Sequence, residues 1–154
     1  MRIIKRFALV LLLLVLVIQV VRPERTNPVI DGSRTIEART RMSPEVSSII
    51  ERSCQNCHTY KTVWPWYSQV APMSWLVAND VKEAREHLSL SDWANYDKKK
   101  ALSKLDEICE EVSEGKMPPM SYTMLHPEAK LTEVDKRILC DWVKGEASRI
   151  ESGM

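Results

Sequence analysis

Phenylalanine occurs once and glycine four times in these 154 residues, and beyond residue 45 no long stretch alternates Val or Ile with polar residues. A sheet core draws on β-branched and aromatic residues in period two, so it has little to be built from here. The composition leans to helices. A basic excess is also missing, the formal net charge being +1. Residues 1–41 carry eight Lys and Arg against three Asp and Glu, and the rest carries 14 against 18. Nucleic acid, whose phosphates require a basic footprint, is therefore not expected as a partner. There is no internal repeat, and the length leaves room for one small core rather than two.

The one long apolar run is at the start. Arg2, Lys5 and Arg6 precede an uninterrupted stretch from Phe7 to Ile18, followed by Gln19-Val20-Val21-Arg22-Pro23. This reads as an export signal, and the absence of an Ala-x-Ala-like exit favours a retained transmembrane anchor over residues 3–21. Cationic residues on the short side place the N-terminus in the cytoplasm. The expectation is an inner-membrane, single-pass signal anchor (residues 1–21), a linker (22–42) and a periplasmic domain (43–154). A cleaved signal peptide is the alternative.

Within the domain, Ser43-Pro44-Glu45 supplies an N-cap, a proline at the first helical position and an acid in the first turn. Val46, Ile49, Ile50, Cys54 and Cys57 then recur at three and four, setting both cysteines on the apolar stripe or just past its end. Leu76, Val77, Val81, Ala84 and Leu88 mark a second helix, and Leu102, Leu105, Ile108, Cys109 and Val112 a third that Gly115 stops. Thr132 to Asp135 reads as a capping box opening a last helix, with Val134, Ile138, Leu139, Trp142 and Val143 inward.

Cys54-Gln55-Asn56-Cys57-His58 is the attachment pattern for c-type haem. Two thiols one helical turn apart can reach the two vinyl groups of one porphyrin, and the next residue carries an imidazole to the iron as proximal axial ligand. A thioredoxin-like dithiol would need the pair at a helix start after a strand. Zinc could use Cys54, Cys57, Cys109 and Cys140. A plain disulfide leaves His58 unexplained. For the sixth iron position Met117 is chosen: a thioether is soft enough for the metal, and Pro118 and Pro119 stiffen its backbone. Met120 is the runner-up, His126 would make a bis-histidine haem, and His87, among charged residues, reads as a surface histidine.

These residues resemble the haem-binding domain proteins with a single Cys-x-x-Cys-His motif, related to class I cytochromes c. The resemblance runs from Gln19-Val20-Val21-Arg22-Pro23 through Cys54-x-x-Cys57-His58-Thr59, Trp64-Pro65-Trp66-Tyr67-Ser68, Ala71-Pro72 with Ser74-Trp75-Leu76, and Ser91-x-Trp93. It continues through Met117-Pro118-Pro119 with Tyr122 and His126-Pro127 to Trp142. It implies an all-α, cytochrome c-like domain, about four to five helices around one covalently attached haem c, after an N-terminal transmembrane helix. Redox work follows, with partner proteins of the cell envelope. The primary reading is a non-catalytic electron carrier, and the alternative a peroxidase-like or gas-sensing protein with an open sixth position. Cys109 and Cys140, each on or beside the buried face of its helix, are expected to pair in an oxidising compartment.

Overall fold

The computed structural model describes residues 2–153. Its helices are α1 (Arg2–Ile18), α2 (Ile36–Arg39), α3 (Pro44–Ser53), α4 (Gln55–His58), α5 (Met73–His87), α6 (Lys98–Ser113), α7 (Met120–Thr123) and α8 (Glu133–Glu151). Short 3-10 turns join several of them, and there is no strand among the described residues. The four helices read from the domain's periodicity are α3, α5, α6 and α8. Their ends follow the local chemistry: Ser43 Oγ accepts from the Val46 amide, and Thr132 and Asp135 form the reciprocal capping box.

The core lies where α3, α6 and α8 meet. Leu105 and Leu139 are fully buried there beside Ile49, Ile50, Trp93 and Val143. A disulfide between Cys109 on α6 and Cys140 on α8, with Cα atoms 5.0 Å apart, crosses this contact. Arg52 on α3 pairs with Asp135 on α8 at 2.6 Å. Val134, expected inward, is 53% exposed. At about 100° per residue it points roughly 140° away from Leu139.

Two expectations about the N-terminal third are corrected. No helix of the described residues is long and apolar enough to cross a membrane, which overturns the transmembrane helix over residues 3–21 and the single-pass inner-membrane anchor. The reason is length. The 17 residues of α1 rise about 26 Å against a hydrocarbon core of about 30 Å, and three of its first five are cationic. Gln19 does not prolong the apolar rod: its amide donates to the Ala71 carbonyl (3.2 Å) and accepts from the Ala71 amide (2.9 Å).

The stretch expected to be a linker also packs onto the body. Asn27 donates to the Thr62 carbonyl, Arg25 donates to that of Ser68, and Trp75 donates its indole N–H to the Val21 carbonyl. Ile36 is 0% exposed within the main core, and its amide donates to the Leu90 carbonyl at 2.8 Å.

Candidate functional site

A cavity of about 340 Å³ opens between α5 on one side and the Met117–Leu125 segment on the other. That size lies within the roughly 300–1,000 Å³ of ligand sites. Its floor is the turn after α3. Cys54 caps that helix, α4 begins at Gln55, and the His58 amide closes the turn on the Cys54 carbonyl at 3.0 Å. Cys54, Cys57 and His58 thus all line one cavity. Leu76, Val77, Val81 and Ala84 of the α5 apolar stripe line it as well.

His58 is held by the end of α5. Its Nδ1–H donates to the carbonyls of Leu88 (3.0 Å) and Ala84 (3.2 Å), which fixes the tautomer and leaves the lone pair on Nε2, which makes no hydrogen bond to protein. Burial pushes the imidazole below its ordinary value, outweighing these carbonyl bonds, so the ring is neutral and able to ligate a metal. Backbone carbonyls on the far nitrogen are the support that metal-bound histidines usually have.

The two cysteines are free thiols. Burial, then the neighbouring Cys57, pushes Cys54 up to about 12, and burial, then Asp80, pushes Cys57 up to about 11. A reactive dithiol requires shifts in the opposite direction, so the thioredoxin-like alternative loses its chemistry. The four-cysteine zinc alternative fails as well. Cys109 and Cys140 are bonded to each other, and no group of three or more metal-ligating side chains of His, Cys, Asp or Glu occurs among the described residues.

Across the cavity, α6 ends in a turn that needs a left-handed residue, which Gly115 supplies with φ of 72°. The Lys116 and Met117 amides both bond back to the Glu111 carbonyl, so the chain reverses and presents Met117 to the cavity. Met117 is 37% exposed, whereas Met120 is 79% exposed and does not line the cavity. His126 does line it, but both ring nitrogens are engaged, Nε2 with the Tyr67 hydroxyl at 2.8 Å and Nδ1 with Glu128 at 3.1 Å. The His126 ring also stacks on Tyr122, with centroids 4.4 Å apart. His87 sits at the rim, its Nε2 3.2 Å from Glu107.

The residues therefore fit a haem: a mostly apolar cavity lined by two protonated thiols one turn apart, by an imidazole whose Nε2 makes no hydrogen bond to protein, and by a thioether on the facing segment. Sequence reasoning missed several lining residues. Met73 gave no signal in its surroundings. Asp80 and Glu83, on α5, make the charged lining acidic, and burial followed by Glu83 raises the Asp80 carboxyl. Asn56, inside the motif itself, donates to the Tyr122 hydroxyl at 2.8 Å.

No curated protein and no solved structure matches the chain. The model of the haem-binding domain family, by contrast, matches residues 13–145, a range that takes in the whole cavity and every side chain named around it. The chain belongs to the haem-binding domain family.

Proposed function

We propose that this protein is a monohaem c-type electron carrier in which Cys54 and Cys57 form the thioethers, His58 is the proximal ligand and Met117 the distal one. The observation that carries the reading is the convergence of both thiols, the free Nε2 of His58 and Met117 on one apolar cavity. A haem bound there supplies a one-electron iron couple. The protein's own part is to hold and insulate. The carbonyls of Ala84 and Leu88 fix the His58 ring, the α5 stripe gives the cavity an apolar wall, and a thioether joining the imidazole as ligand would favour the reduced metal. The Cys109–Cys140 disulfide supports an oxidising compartment, where the protein would meet its redox partners. A peroxidase-like alternative needs a distal acid-base group, which only His87 or His126 could supply as a histidine; both ring nitrogens of His126 are engaged, and Nε2 of His87 faces Glu107.

The test is extraction with acidified acetone followed by a pyridine haemochrome spectrum, on protein made in cells competent for haem attachment. The wild-type chain should retain about one haem, and Cys54→Ala/Cys57→Ala should release all of it. Wild-type haem that extracts freely defeats the proposal.

A further inference from the structure

We infer that Asn56 is a positioning residue that sets how firmly Met117 is held, by latching the attachment turn to the Met117–Tyr122 segment through the Tyr122 hydroxyl. The inference rests on Met117 being the sixth ligand, as proposed above.

Asn56 stands between the two cysteines, and its backbone belongs to α4. Its side chain is held at both ends: Oδ1 accepts from the Val63 amide at 3.1 Å, and Nδ2 donates to the Tyr122 hydroxyl at 2.8 Å. Its carbonyl accepts from the Thr62 hydroxyl at 2.7 Å. The amide therefore cannot swing away without giving up a second bond. Tyr122 is equally constrained. It lies in the single turn of α7, where its amide and that of Thr123 close on the Pro119 carbonyl, and its ring stacks on His126. Only Pro118 and Pro119, with fixed φ, and that turn separate it from Met117. The segment has two anchors: the Met117 amide on the Glu111 carbonyl, and the Tyr122 hydroxyl on Asn56. The second reaches across the cavity to the turn that carries His58, so it fixes the spacing between the two sides.

A weak ligand exchanges more readily when the loop that carries it is released. Tyr122→Phe removes the hydroxyl and keeps the stacked ring, and Asn56→Leu removes the donor. The measurement is imidazole binding to the ferric holoprotein, followed by the shift of its main absorption band, with hydrogen exchange of amides 117–124 alongside. Losing one partly buried hydrogen bond should tighten apparent imidazole binding about five-fold and speed exchange of that segment. Asn56→Leu also frees the Val63 amide, so the double variant should go no further than Asn56→Leu alone, the Tyr122 bond being already lost in it. Met117→Ala should tighten binding more than any of them. If Met117→Ala does so while Tyr122→Phe and Asn56→Leu leave binding and exchange at wild-type values, the latch is wrong and the ligand assignment stands. If Met117→Ala itself changes nothing, the ligand assignment falls and takes the latch with it.

Discussion

Replacing both disulfide cysteines, Cys109→Ser with Cys140→Ser, should lower stability by about 3.7 kcal/mol. The bond joins residues 31 apart, and the chain-entropy relation for a loop of that size gives roughly 12 cal/mol/K at 25 °C. Serine is the right replacement. Ser113 Oγ lies 3.5 Å from Cys140 Sγ and 3.8 Å from Cys109 Sγ, so new hydroxyls have a polar neighbour. The assay is urea unfolding of the holoprotein, oxidised wild type against the variant. With a slope of about 2 kcal/mol per molar, the midpoint should fall by nearly 2 M. A steeper slope in the variant would accompany the loss, because the unfolded chain is no longer cross-linked. A midpoint shift below about 0.5 M at unchanged slope would refute the reasoning that this bond stabilises the fold by constraining the unfolded chain.

Ile36→Ala should cost about 3 kcal/mol, a core-sized loss from a side chain in a segment whose composition reads as a tether; a thermal melt within a degree of wild type would contradict its core role. Asp135→Asn should cost about 1 kcal/mol at neutral pH, because the amide keeps one acceptor for the Thr132 amide but loses the charge and the second oxygen that hold Arg52. Burial raises the Asp135 carboxyl, but the bonds from Thr132 and Arg52 outweigh it and hold the folded value below the usual one. Its contribution is then present above the unfolded value of about 3.9 and lost as pH falls through the folded one. The stability gap between wild type and variant should close on acidification, and a gap that widens towards pH 2 would invert the assignment.

The helix boundaries were legible because they depend on neighbours in sequence: Ser43 with Val46, Thr132 with Asp135, Gly115 after α6. The turn from Cys54 to His58 is local in the same way. Ile36 was not, since a lone apolar residue among charges carries no period, and its burial comes from Leu90 far along the chain. Neither was the condition of His126. Its two hydrogen-bond partners, Tyr67 and Glu128, lie 59 residues away and two residues away, so only the folded chain shows that both nitrogens are taken. The end of the N-terminal run is not legible in sequence, because the apolar residues continue to Val21 while the helix stops at Ile18 and Gln19 turns into the body.

A backbone relay runs from the upstream segment to the imidazole-bearing residue: the Ile36 amide donates to the Leu90 carbonyl, and the Leu90 amide donates to the His58 carbonyl, each at 2.8 Å. The peptide group that precedes Thr59 is thus braced by a stretch that a domain boundary at residue 43 would discard. A shortened chain starting there loses the first rung of this ladder and the plug that Ile36 forms beneath it, so the Cys54–His58 turn and the upstream segment are one mechanical unit.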